Sequence, residues 1–351
     1  MVSDIKISES GGKPDGQAAG APDGSRSRIA ESPGDPFSAE GIRALLTTSY
    51  LGRRIVYKEV TGSTNDDARR LVEQISGGSR CEDRSGGDPG AAVGPPDTGS
   101  LEGTVVVAGR QTGGKGRLGR RWVSRPGGIF MSAVVRPAVG PERIPLVAIV
   151  AGYAVATAVG DLTGLPVKLK WPNDVLAFGK KISGILCEPV VPGGALYSER
   201  DPEHHLDDRK PSGARTPYVI CGIGINANQT EGDFPEEIRQ TASSIRLLKG
   251  QSVDRNALAA AVLNDLEAAL SRFEKTGLSG MARKLEDLWA FLGEDVVLQN
   301  RSAGDDSRVY GTFVGVDAEG RALIDIPGEG LAAFSAGDLS LRPVDDRSAL
   351  P

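Results

Sequence analysis

Histidine is nearly absent from this chain of 351 residues, which holds two, His204 and His205, side by side. They lie in a polar stretch without regular patterning, so a Ser-His-Asp acyl-transfer arrangement has no base fixed on a scaffold. Cysteine is almost as scarce. Cys81, Cys187 and Cys221 show no paired metal-ligand spacing, which argues against a structural zinc site and a disulfide framework and points to a reducing, cytoplasmic compartment. No run of about 18 apolar residues occurs, and the first residues, MVSDIKISESGGKPDG, have no apolar signal-peptide core, so no membrane segment is expected. Excess positive charge is missing as well: 41 basic and 46 acidic residues give a net charge of −5, without the footprint of a basic nucleic-acid-binding domain.

What is present is concentrated. Gly109 to Trp122 reads G-R-Q-T-G-G-K-G-R-L-G-R-R-W, with Gly113, Gly114, Gly116 and Gly119 set among Arg110, Lys115, Arg117, Arg120 and Arg121 and no acid between them. Glycine lets a backbone approach a ligand closely, and flanking cations with amide N–H groups suit a phosphate or carboxylate. The apolar runs Thr104 to Ala108 and Ile129 to Val135 flank the segment, so two buried strands are expected to hold it as a loop.

Residues 1–36 are rich in Gly, Ser, Pro and Asp and are expected to form a disordered tail. Ser38 is placed to cap a helix over 39–47, and Arg54 to Val60 alternates as a strand. Ser63 or Thr64 then caps a helix with Asp66 and Asp67 in its first turn; Ser63-Thr64-Asn65 is read from spacing as simply this cap. Residues 76–103 and 191–216 have the composition of flexible insertions. Between them lie a strand over 128–135, a long apolar helix over 142–162, a short strand over 167–170, and the corner Lys170-Trp-Pro-Asn-Asp174. That corner is a hairpin turn on spacing alone, and Lys181 in the following strand is either a snorkelling edge residue or an aimed cation. The run 218–228 is a strand broken by glycines, and helices are expected over 253–273, with Asp254 near its start, and 278–289. Short strands from Gly293 onward suggest a small β-barrel.

Gly109 to Lys115 matches the G-x-x-x-x-G-K of a nucleoside triphosphatase P-loop. Gly116, however, stands where a Ser or Thr would meet Mg²⁺, and the run Gly116 to Arg121, with two glycines and three cations, is a poor helix start. Five segments in order, namely Ser63-Thr64-Asn65, the Gln111 to Trp122 loop, Lys170-Trp-Pro-Asn-Asp174, Lys181-Ile-Ser-Gly-Ile-Leu186 and Gly222-Ile-Gly-Ile-Asn-Ala-Asn228, together resemble biotin protein ligases. A lipoate or octanoyl ligase shares the architecture but is similar to R-R-x-S-G-G-G at the loop. Lys115 departs from the family's usual Arg at the first basic position, keeping charge but losing a planar fork.

The resemblance implies an α+β fold: a mixed sheet with flanking helices, of the class II synthetase-like biotin/lipoate ligase type, over 37–290, an SH3-like β-barrel over 291–345 and a tail over 346–351. It implies ATP-dependent formation of biotinyl-5'-AMP and transfer of biotin to a lysine of a biotin carboxyl carrier protein or domain of acetyl-CoA carboxylase or a related carboxylase. Residue by residue, it implies Lys181 and Arg117 as catalytic. Ser63, Thr64, Asn65, Gln111, Gly114, Lys115, Arg117, Lys181 and Gly184 are then expected around biotin. Lys115, Arg117, Arg120, Trp122, Asn173, Asp174, Lys181, Asn226 and Arg342 are expected around the nucleotide, with Asp174 near Mg²⁺. The loop is expected to order and close over the acyl-adenylate. The repressor-type members carry an N-terminal helix-turn-helix, for which the tail offers neither a basic stripe nor apolar-periodic helices, so no DNA partner is expected. The oligomeric state, a homodimer included, is left open.

Overall fold

The computed structural model describes residues 37–74, 100–191, 217–300, 307–336 and 339–344. The expected tails, most of both expected insertions, Cys81, His204 and His205 lie outside them. Asp254 caps the helix that anchors the core. Its carboxylate accepts from Asn256 N and Ala257 N at 2.8 and 3.0 Å, and α5 runs from there over Arg255–Thr276. A second helix, α3 at Val147–Thr163, packs against it and is apolar on nearly every side, as a helix caught between a sheet and another helix must be. With the 3-10 turn Pro141–Leu146 before it, this helix is long and apolar enough to cross a membrane by composition. Its buried residues face the sheet and α5 instead.

That sheet has seven strands in the order β1-β2-β3-β7-β6-β5-β4. They are β1 Arg54–Thr61, β2 Thr104–Gln111, β3 Ile129–Val135, β4 Val167–Lys170, β5 Asp174–Ala177, β6 Lys180–Val190 and β7 Tyr218–Ile225. Only β1 and β2 pair in parallel, so the sheet is mixed, as expected. Val105, Val107, Met131, Ala133, Cys221 and Ile223 point toward α3 and α5. The alternate residues Val106, Val134 and Ile220 meet Ala68 and Val72 of α2, Thr64–Gln74, on the other face. Both faces are thus covered, but α2 covers its face only in part.

A second sheet follows, antiparallel and five-stranded, in the order β11-β10-β9-β8-β12, in keeping with an SH3-like fold. Its strands are β8 Asp295–Asn300, β9 Arg308–Val316, β10 Ala322–Ile326, β11 Gly330–Phe334 and β12 Leu339–Pro343. The pairings among the described residues run from β11 to β12 without joining the two ends. One of its turns is fastened to the corner between β4 and β5. Trp171, 1% exposed, donates from Nε1 to Gly320 O at 2.9 Å, and a Cβ at Gly320, where φ is +74°, would collide with Leu146.

Several expectations shift. The first helix, α1, stops at Arg43 rather than reaching residue 47. Residues 100–103 belong to the fold rather than to an insertion, since Leu101 is buried and Gly103 N donates to Val134 O. The apolar helix begins as a 3-10 turn because Pro145 cannot donate into a regular ladder. The helix expected over 278–289 divides into the 3-10 turn Leu278–Met281 and α6, Ala282–Leu288. A short helix, α4 at Ile245–Lys249, capped by Ser244, was too brief for its periodicity to register.

Two side chains of α5 hold the loop before β1: Asn264, which accepts from Thr47 N at 2.8 Å, and Glu267. Glu267 of α5 accepts from Ser49 N and Oγ, Tyr50 N and Leu51 N at 2.6, 2.7, 3.1 and 2.8 Å. Burial raises its pKa, but the four donors outweigh burial and hold it below the usual carboxylate value. Because the folded pKa is depressed, this contribution is complete above the unfolded pKa and is lost as pH falls through the folded one. Glu267→Ala is expected to cost about 2 kcal/mol in denaturant unfolding at neutral pH, with the difference from wild type shrinking in acid; a difference independent of pH would contradict the assignment.

Candidate active site

Register fixes the floor of a cleft of about 140 Å³ that the start of α2, the basic segment and the Lys170–Asp174 corner line. Residues directly opposite in a sheet share a face, and here Ser132 stands opposite Gly222, Phe130 opposite Gly224, Gly184 opposite Gly224 and Leu186 opposite Gly222. Beyond the reach of α2, that face is paved with glycine. The Trp122 indole lies on it: a Cβ at Gly224 would sit 2.6 Å from Trp122 Nε1, and one at Gly184 would sit 3.0 Å from Trp122 Cζ3. The buried Nε1–H has no partner among the described residues, so a donor is held at the cleft wall.

One end of the cleft is polar and neutral. Gln111 Oε1 accepts from Thr64 N at 2.8 Å and lies 3.1 Å from Thr64 Oγ1, while Gln111 Nε2 donates to Ser124 Oγ at 2.9 Å. Ser63, Thr64 and Asn65, at the start of α2, are at most 5% exposed. The first turn closes through Ser63 O, which accepts from Asp67 N at 3.1 Å.

The other end is cationic. Lys181 Nζ lies 2.5 Å from Asp174 Oδ1 and 5.3 Å from the centre of the Trp122 ring, so the ammonium is held between a carboxylate and an aromatic face. Beside them stands Lys170, whose pKa is lowered by burial; Asp174 opposes the shift, while Lys181, Arg342 and Arg120 add to it. The hairpin corner positions the group: Asn173 Nδ2 donates to Ile185 O at 2.7 Å, and Asn173 Oδ1 accepts from Arg117 Nη1 at 3.2 Å.

The basic segment takes a defined form. Gly109, Arg110 and Gln111 belong to β2 rather than to a loop. The rest turns back on itself, with Gly116 N donating to Arg120 O and Trp122 N to Gly114 O. Lys115 pairs with Asp66 at 2.6 Å, and Arg117 Nη2 donates to Ala336 O at 3.1 Å, reaching the connection between β11 and β12. At the turn Leu118 has φ +58°, the left-handed region, and is 40% exposed.

Of the residues singled out from sequence, Ser63, Thr64, Asn65, Gln111, Lys115, Arg117, Arg120, Trp122, Asn173, Asp174, Lys181 and Gly184 line this cleft. Three do not. Gly114 is buried behind it, against Ser124 and Trp122. Asn226 is 4% exposed and spends its amide on Ser243 O at 3.1 Å. Arg342 is exposed on β12, near enough to act on Lys170, while Leu339 of the same strand reaches the wall. Sequence reading gives Lys170 only as part of its motif, without a role of its own, and assigns none to Ser124, Ser132 or Glu188. Ser132 in the apolar run Ile129-Phe-Met-Ser-Ala-Val-Val135 was the available signal, because a polar side chain in a buried strand needs a partner.

Among the described residues no three His, Cys, Asp or Glu side chains converge on a metal position. Asp174 offers a single carboxylate already paired with Lys181, a donor set suited at most to sharing an ion whose other oxygens come from phosphates. The glycine floor yields a test. Gly224→Ala is expected to displace the Trp122 indole at a cost of about 1–3 kcal/mol. It should shift tryptophan emission to the red, since Trp171 and Trp289 are 1% and 4% exposed and stay buried. Unchanged emission would show that Trp122 does not need the space.

Residues 98–197 match the Biotin/lipoate A/B protein ligase family. The biotin protein ligase of Aquifex aeolicus in complex with biotin and ATP superposes with a TM-score of 0.61 at 29% identity, covering 83% of this chain and 100% of that one. The bifunctional ligase/repressor BirA of Bacillus subtilis is 29% identical over 90% of this chain and 82% of its own length. The biotin–[acetyl-CoA-carboxylase] ligase of Mycobacterium tuberculosis is 30% identical over 68% of this chain and 79% of its own length. With a relative 30% identical and matched over 79% of its length, and a superposable solved structure, the chain belongs to the biotin protein ligase family.

Proposed function

We propose that this protein activates biotin with ATP and transfers it to a lysine of a biotin carboxyl carrier protein or domain, of acetyl-CoA carboxylase or a related enzyme. The observation that carries the reading is the division of one cleft into a neutral hydrogen-bonding end at Thr64 and Gln111 and a cationic end at Lys181, with the Trp122 indole between them. Biotin has the same division. Its ureido ring offers donors and acceptors that need buried partners, and its valeryl chain ends in a carboxylate.

In the first half-reaction the biotin carboxylate attacks the α-phosphorus of ATP, a mixed anhydride forms and pyrophosphate leaves. Negative charge builds on the phosphoryl oxygens, and the fixed ammonium of Lys181 is suited to meet it, with Arg117 covering the same region. Asp174 and Trp122 hold Lys181 in place beforehand, so little reorganisation is needed as charge develops. Lys170, Arg120 and Lys115 extend the positive field toward the departing pyrophosphate. Mg²⁺ fits this reading as an ion brought with the phosphates, where it would neutralise their charge; Asp174 is the residue able to share it. In the second half-reaction the carrier lysine amine attacks the anhydride carbonyl and AMP leaves. Until then Arg117, tied to Asn173 and to Ala336 O, closes the cleft and keeps water from the anhydride.

Lys181→Ala is expected to lower biotin-dependent pyrophosphate release by about 10²-fold or more while leaving the unfolding transition in place; release near the wild-type rate would remove Lys181 from the chemistry. For Arg117→Ala the expected change is faster escape of biotinyl-AMP, read by trapping the adenylate after gel filtration. An intermediate as long-lived as in wild type would argue against closure by Arg117.

A further inference from the structure

Glu188 and Ser132 have no part in the two half-reactions, yet an unbroken line of hydrogen bonds ties them to the floor of the cleft. Arg69 Nη2 donates to Glu188 Oε1 at 2.9 Å, and Asn65 Nδ2 donates to Glu188 Oε2 at 2.7 Å and to Leu186 O at 3.3 Å. Ser132 Oγ lies 2.6 Å from Asn65 Oδ1 and 2.7 Å from Thr64 Oγ1. Asn65, Ser132 and Thr64 are 5%, 0% and 4% exposed, so these groups depend on one another for partners. Gly222 makes the line possible, since a Cβ there would collide with Asn65 Oδ1.

The line has a direction. A carboxylate paired with an arginine only accepts, so Asn65 must present nitrogen to Glu188 and oxygen to Ser132. Ser132 has one proton and gives it to Asn65 Oδ1. Thr64 therefore cannot receive it, and the Thr64 proton goes to Ser132 Oγ or to Gln111 Oε1 at 3.1 Å, both of which are acceptors. With its proton committed, Thr64 Oγ1 can show the cleft only lone pairs.

We propose that Glu188, paired with Arg69, is a positioning residue that sets the donor and acceptor polarity of the cleft's neutral end, so that Thr64 presents an acceptor to a ureido N–H of the ligand. The inference rests on the biotin ligase function. A carboxylate at the far end of a buried line thus selects for a ring bearing N–H groups, and a ring without them would leave the oriented acceptor unpaired.

Glu188→Gln nearly preserves shape but supplies a side chain able to donate, which frees Asn65 to turn over and Thr64 to point its proton at the ligand. The KM for biotin is expected to rise about tenfold or more, with the KM for ATP held within about twofold. Ser132→Ala breaks the same line and should raise the biotin KM comparably, and the double variant should be no worse than the worse single one, because both changes remove one coupling. An unchanged biotin KM in Glu188→Gln, or single effects that multiply in the double variant, would overturn the proposal. Should Glu188→Gln fail to fold, Ser132→Ala carries the test alone, and an unchanged biotin KM there overturns it. A wild-type protein that releases no pyrophosphate from ATP with biotin would instead overturn the ligase function itself.

Discussion

A sheet buried on both faces has no room for a ligand unless side chains are removed from one face, and here they are removed at Gly184, Gly222 and Gly224. The same strands that fill the core with Ile223, Ile225 and Ile185 on one side present backbone and an indole on the other. Period-two alternation makes this possible without weakening the core, because each strand sends alternate residues to opposite faces. The α2 helix then needs to cover only the part of that face that glycine leaves apolar, and its first turn becomes one wall of the cleft.

Electrostatics follow from that geometry. A chain with net charge −5 gathers Lys115, Arg117, Arg120, Lys170 and Lys181 around one opening and balances them within it by Asp174 and, at the rim, Asp66. The pKa of Lys170 is lowered first by burial, and the neighbouring cations Lys181, Arg342 and Arg120 add to the shift against Asp174. An anionic ligand relieves that repulsion, so the tension works in favour of binding. The second sheet shares in this arrangement through Arg117 and Ala336, through Leu339 at the wall, and through the Trp171 hydrogen bond to Gly320.

Where a local signal exists, the sequence was a good guide. The strands Ile129–Val135 and Tyr218–Ile225 follow from apolar runs, α5 from the Asp254 cap, and most of the cleft from five motifs. Three kinds of feature escaped. Arg110 and Gln111 read as loop because glycine and charge mask a strand whose order comes from pairing with β1. Asn226 donates its amide to Ser243 O inside the fold, a contact that spacing along a chain cannot reveal. The line through Ser132 and Glu188 joins residues 56 positions apart by strand register, and register is a tertiary property.

On the proposed function, a cleft with a neutral end for the ureido ring and a cationic end for adenylation selects its acyl substrate by the ring as well as by the carboxylate. This is tested most directly by incubating the protein with ATP, Mg²⁺, a biotin carboxyl carrier domain and either labelled biotin or labelled lipoate. The proposed function requires label from biotin on the carrier lysine, dependent on ATP, with lipoate inert. Transfer of lipoate, or no transfer of biotin by folded protein, would contradict it.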